Sequence, residues 1–236
     1  MYLVINRKKC LIICITFLAM GLFLGGVLGI IPDKKTFGID GEELKVVVDA
    51  GHGLPDGGAV GVNGSIEAEL NLDIANKVSE VLTGRGITVV MTRNTKDGVR
   101  GEGEESWNKV EDMRLRLKAV RDSDADLFIS IHMNHFQTSN VSGLRLFYAA
   151  NHKEIKPLAE NIQSKMSELT GAKVTAVRAA DKSLFLMKSP PVPAILIECG
   201  FLSNQAEEKK LSDEKYRAKI AWAIADTIER HYLDLT

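Results

Sequence analysis

The stretch Val46-Val47-Val48-Asp49-Ala50-Gly51-His52-Gly53 decides how this chain is read. A β-branched run suits a buried strand, and the Gly-His-Gly that follows suits a sharp turn. Fifteen residues after His52, Glu67 opens a segment with helical spacing, where Leu70, Ile74, Val78, Val81 and Leu82 share one face. Two later runs end on polar side chains as this one does. Leu127-Phe-Ile-Ser-Ile131 stops at His132, and Ala194-Ile-Leu-Ile197 stops at Glu198. Parallel strands flanked by helices turn their carboxyl ends toward one crevice, where α/β proteins place their chemistry. Two imidazoles and two carboxylates at such positions are the components of a catalytic zinc site with a general base.

Working outward, strand and helix signals alternate from Leu44 onward. Strands are expected over 44–49, 87–92, 126–132, 143–149 and 193–198. Helices are expected over 67–82, 107–121 and 152–169, with a last one after Ser212, Asp213 and Glu214 as cap and acidic first turn. The 107–121 helix should bury Val110, Met113, Leu117 and Val120, and the last helix Tyr216, Ile220, Ile224 and Ile228. The charged Gly/Glu segment 97–106 reads as a loop. This alternation implies an α/β three-layer sandwich with a mostly parallel central sheet flanked by helices.

Upstream, Cys10–Ile31 is a run of 22 residues without a charge, and about 20 apolar residues span a bilayer core. Arg7, Lys8 and Lys9 before it favour a cytoplasmic N-terminus, which puts everything after Ile31 outside. Residues 1–31 are therefore expected to be a cytoplasmic tip and membrane anchor, 32–43 a tether and 44–236 the catalytic domain. A cleaved signal peptide is the alternative for the first segment, although its apolar stretch is usually shorter and ends at a small-x-small site.

The three basic residues before the anchor leave 27 against 31 acidic ones beyond it, a net of −4. Such a balance gives no electrostatic basis for nucleic-acid binding. Of the three cysteines only Cys199 lies in the domain, so no intrachain disulfide framework is available there. Cys199 should point away from Glu198 into the core, and His152 and His231 read as solvated helix residues.

Six blocks carry a resemblance. They are 46–53, Gly-Ala-Val-Gly-x-x-Gly-x-x-Glu at 58–67, Asn71-Leu-Asp-Ile-Ala75, Met-Thr-Arg at 91–93, Ala-Asp-Leu-Phe-Ile-Ser-Ile-His-x-Asn at 125–134, and Pro-Ala-Ile-Leu-Ile-Glu-x-Gly-Phe-Leu-Ser-Asn at 193–204. In this order they resemble the zinc-dependent N-acetylmuramoyl-L-alanine amidases, the type 3 amidases of bacterial cell walls. The resemblance implies one Zn²⁺ held by His52, Glu67 and His132, with Glu198 as the catalytic carboxylate. It also implies a substrate, the amide between N-acetylmuramic acid and the L-alanine that starts the stem peptide of peptidoglycan. Asn134, Arg178 and His135 are candidate substrate contacts.

The short anchored architecture is most similar to the sporulation and germination amidases of spore cortex, which begin the route to muramic δ-lactam. That likeness implies an extracytoplasmic location, between mother-cell and forespore membranes in a spore former, and an activating lipoprotein as a possible partner. A vegetative wall amidase, a non-catalytic peptidoglycan-binding relative and a zinc carboxypeptidase stay open as alternatives. The chain departs from the family pattern at Ala50, where a proline is usual, and at Gly53-Leu54-Pro55. The segment between Asn134 and Gly143 is short, where activator-gated members carry an inhibitory helix.

Overall fold

The computed structural model of the chain describes residues 43–101 and 106–233. The expected anchor, nearly all of the tether and part of the 97–106 loop lie outside them. Among the described residues no helix is long and apolar enough to cross a membrane.

Six strands of the described residues form one sheet: β1 (Lys45–Ala50), β2 (Thr88–Met91), β3 (Leu127–Asn134), β4 (Arg145–Tyr148), β5 (Arg178–Ala179) and β6 (Ala194–Phe201). Their spatial order is β2-β1-β3-β6-β4-β5. β2, β1, β3 and β6 are mutually parallel, β4 runs antiparallel to β6, and β5 is parallel to β4. The reversal at β4 follows from its connection. Residues 135–144 contain no helix, and a parallel return needs a crossover of about a dozen residues or more. Among the described residues five α-helices flank the sheet: α1 (Glu67–Thr83), α2 (Lys109–Asp122), α3 (Lys156–Thr170), α4 (Gln205–Leu211) and α5 (Glu214–Leu233).

Period-2 alternation divides the strands between two apolar layers. Val46, Val48, Ile129, Ile131, Ile195 and Ile197 pack with Ile74 and Val78 of α1, Leu158 and Ile162 of α3, and Ile220 and Ile224 of α5. Cys199 is buried in this layer, as expected. On the other face Val47, Phe128, Ala194 and Leu196 meet Val120 of α2 and the short 3-10 turn Phe185–Met187. This thinner layer leaves the carboxyl-end side chains of β3 and β6 accessible from one side. A cavity of about 140 Å³ lies there, lined by His52, His132, Met113, Leu186 and Leu196 among others.

Several boundaries differ from the sequence reading. The helix expected from Trp107 begins at Lys109, because the Asn108 side chain accepts from the Val110 and Glu111 N–H groups. Val110 is then exposed, and α2 buries Asp112 and Arg116 in line with Val120. His152 is a half-buried residue ahead of α3, its ring between the Glu154 carboxylate and the Pro190 carbonyl. Asp213, not Ser212, caps α5 by accepting from the Lys215 N–H. Ser212 instead closes α4, a helix too short to stand out in the sequence.

Candidate active site

Local structure explains how Glu67 is aimed. No side chain caps α1; the carbonyls of Ala59 and Gly57 accept from the N–H groups of Glu67 and Ala68 instead. The 57–66 loop is thus wrapped round the helix start, and Glu67 Oε2 accepts from the Ala59 N–H at 2.8 Å. Its other oxygen, Oε1, accepts from the Met133 N–H at 3.1 Å. Oε1 also lies 3.3 Å from His52 Nε2 and 3.2 Å from His132 Nδ1. Burial opposes ionisation of Glu67, but the His132 and His52 contacts outweigh it and hold the carboxyl well below its usual range.

His52 sits at φ 61°, a left-handed conformation that costs a non-glycine residue about 1–2 kcal/mol. The turn is held by capture of its carbonyls. Ala50 O accepts from Arg93 Nε and from an Arg116 guanidinium nitrogen. Gly51 O accepts from Asn71 Nδ2 and Arg93, and His52 O from Arg116 at 2.6 Å. Arg116 is buried and ion-paired with Asp49 at 2.7 Å and Asp112 at 3.0 Å. Burial raises the Asp49 pKa, but Arg116, Ser130 and Thr92 prevail and keep it below the ordinary value. The His52 ring is fixed at its far side too, since Nδ1 lies 3.1 Å from Asp56 Oδ2. With its proton on Nδ1 toward Asp56, the ring leaves the Nε2 lone pair free.

Two imidazole nitrogens and one carboxylate oxygen therefore lie within 4.8 Å of one another, a group that could hold a metal ion. A set of two N donors and one O donor matches catalytic zinc sites, which keep a fourth position open. Glu198 stands directly opposite His132 in the β3–β6 register. Its Oε2 is buried without a hydrogen-bond partner. Burial pushes its pKa up to about 7, with His132 opposing and Glu67 adding to the shift. A carboxyl poised near neutrality beside a cluster that could hold a metal suits proton transfer.

A family model described as N-acetylmuramoyl-L-alanine amidase matches residues 46–230. The chain belongs to that family. The amidase is 35% identical over 194 residues to the germination-specific N-acetylmuramoyl-L-alanine amidase of Bacillus subtilis, an alignment covering 80% of each. Among solved structures it is similar to the CwlD amidase of Clostridioides difficile in complex with the GerS lipoprotein. That match has a TM-score of 0.73 and 33% identity, over 82% of this chain and all of that one. The catalytic domain of CwlV from Bacillus (Paenibacillus) polymyxa gives 0.70 and 30%, over 82% and 99%.

Of the residues singled out in the sequence, the amidase brings His52, Glu67, His132 and Glu198 together. The strand ends differ slightly from expectation: β3 continues to Asn134 through a register shift after His132, and β6 continues to Phe201. Asn134 is half-buried, and its carbonyl accepts from the Leu202 N–H. His135 is exposed beyond the strand. Arg178 lies on β5, two strands from Glu198, and lines a separate hollow. The sequence reading missed Asp56, Asp112 and Arg116, and gave Asp49, quoted in the first block, no role. Asn71 and Arg93 lay inside quoted blocks without a role. No signal marked the buried pair, because Asp112 and Arg116 read as an ordinary i, i+4 charge pair beside the apolar face.

Two outcomes follow from this geometry. A Cβ at Gly51 would lie 2.2 Å from the His132 ring, so Gly51→Ala should displace that ring and lower bound metal per chain at least severalfold in elemental analysis. The second concerns stability. A carboxyl with a raised folded pKa penalises the fold once the unfolded chain ionises it, from about pH 4.5 up through 7. In metal-free protein Glu198→Gln should raise Tm at pH 8 and leave it unchanged near pH 4, as read by thermal unfolding.

Proposed function

We propose that this amidase is a zinc enzyme that cleaves the amide between N-acetylmuramic acid and L-alanine in spore-cortex peptidoglycan. His52 Nε2, Glu67 and His132 Nδ1 would hold the ion, one per chain. The observation that carries the reading is the convergence of those three donors beside a buried, unpartnered Glu198 carboxylate. Zn²⁺ there would polarise the amide carbonyl and bring the pKa of water toward ~7.

The chain's own residues do the rest. Glu198 takes the proton that the attacking water gives up, and returns it to the nitrogen of the departing L-alanine. Asp56 keeps the His52 proton on Nδ1, and the Arg93–Arg116 clasp keeps the ring over Glu67. Leu186, Leu196 and Met113 give the cleft an apolar wall that limits competing water.

The cortex assignment, with the first step toward muramic δ-lactam, is supported by the likeness to the germination-specific amidase. An activating lipoprotein is suggested by the similar structure bound to GerS. The uncharged run 10–31 and its basic flank support an extracytoplasmic domain on a membrane anchor, facing the space between mother cell and forespore.

Mass spectrometry of digested peptidoglycan tests the chemistry. Intact stem peptides with a free L-alanine amine are expected, and peptides shortened at their carboxyl end would point to a carboxypeptidase. Cortex from a deletion strain tests the setting. Muramic δ-lactam should disappear, and its persistence would remove the cortex assignment while leaving the amidase chemistry in place.

A further inference from the structure

We propose that Arg145 and Arg178 form a subsite for a free carboxylate of the stem peptide, one strand beyond Glu198. The proposal rests on the amidase reading and names the feature of the substrate that the site grips.

In the β6–β4 register Arg145 stands directly opposite Glu198, which itself stands opposite His132. Paired residues on adjacent strands share a face. His132, Glu198 and Arg145 therefore form one row across the sheet, on the side where the four site residues gather. The Arg145 guanidinium carbon lies 5.0 Å from the centroid of the buried Phe201 ring, a cation–π contact. Its Nε is buried and has no hydrogen-bond partner. Among the described residues no carboxylate lies within ion-pair distance of it, and the same holds for Arg178. A buried guanidinium N–H without an acceptor is costly, so the arrangement suits an acceptor that arrives with a ligand.

Arg178 supplies the second half. It pairs with Phe147 of β4 and so lies on the same face as Arg145. Both arginines line one hollow of about 180 Å³, together with Phe147 and Thr175, and no acidic side chain lines it. Arg145 feels the charge of Glu198 across the strand pair, but with no acidic side chain in the lining, two guanidinium forks fit a planar, doubly accepting anion.

Spacing narrows the ligand. Strands lie about 4.8 Å apart, so the hollow begins roughly 5–10 Å from the amide held at His132 and Glu198. An extended peptide covers that distance in about two residues. In a stem peptide whose second residue is glutamate linked through its side-chain carboxyl, the α-carboxylate is free at that distance from the scissile bond. The subsite therefore places the departing peptide over β4 and β5.

The test compares two substrates of equal glycan length, one with the free α-carboxylate on the second residue and one with a carboxamide there. The zinc-loaded enzyme should prefer the acid at least tenfold in kcat/KM. Arg145→Met and Arg178→Gln should each bring the ratio toward one, and Arg145→Lys should restore it only in part, because lysine keeps the charge without the fork. Titration calorimetry with the two released peptides should show the same order of binding. Arg178 is exposed on a two-residue edge strand, so its variant reads out even where Arg145→Met folds poorly. Equal treatment of acid and amide by wild type, or full preference retained in both variants, overturns the subsite. If cleavage proceeds without preference, the subsite falls and the amidase stands. If nothing is cleaved while the peptides still bind in the expected order, the amidase reading falls and the subsite stands.

Discussion

Glu198→Gln should lower kcat on peptidoglycan by about 100- to 10,000-fold, the range of a positioned general acid–base. The replacement keeps the shape of the side chain and removes its ability to take a proton. Its Oε2 is already without a hydrogen-bond partner, so the amide disturbs no existing contact of that atom. KM should change little, because the lost interaction belongs to proton transfer and not to ground-state binding. Single-turnover cleavage of purified glycan with wild type and variant reads the effect. A variant that cleaves as fast as wild type would remove Glu198 from the chemistry.

The second large effect is on stability. Arg116→Met should cost about 3–5 kcal/mol, the loss seen when one partner of a buried ion pair is removed. Arg116 bridges Asp49, Asp112 and the carbonyls of Ala50 and His52, and it is 2% exposed while Asp49 is fully buried. Without it the Asp49 charge is left with only the Ser130 and Thr92 hydroxyls. The pH dependence has a definite sign. Asp49 has a lowered folded pKa in the wild type, so its contribution is present above the unfolded value of 3.8 and fades as the pH falls below it. The gap in denaturation midpoint between wild type and variant should therefore be widest near pH 7 and narrow below pH 4, where Asp49 can be neutralised. Bound metal should fall in the same variant, because the His52 carbonyl loses its anchor.

These two residues also show what a sequence can and cannot carry. Glu198 was legible because a carboxylate at the end of Ala194-Ile-Leu-Ile197 is costly unless it has a use, and His132 because a ring closes Phe-Ile-Ser-Ile. Arg116 was not legible. In an isolated helix, Asp112 and Arg116 look like a solvated i, i+4 pair, and only the approach of β1 turns them inward. The same holds for β4, whose direction is set by a short connection and by β6 inserting between it and β3. Arg145 faces the site for that reason alone: its neighbour Glu198 is 53 positions away in the chain and becomes adjacent through pairing. Periodicity reports which face of an element is apolar. It does not report which strand comes to lie beside it, and the polar clasp round His52 depends on that.

In the proposed mechanism His52, Glu67 and His132 hold the metal while Glu198 stays off it. Zinc per chain, measured by elemental analysis on wild type, Glu67→Gln, His132→Ala and Glu198→Gln after dialysis, tests it most directly. One zinc is expected in wild type and in Glu198→Gln, with little in the other two. Loss of zinc from Glu198→Gln to the level of Glu67→Gln would contradict it.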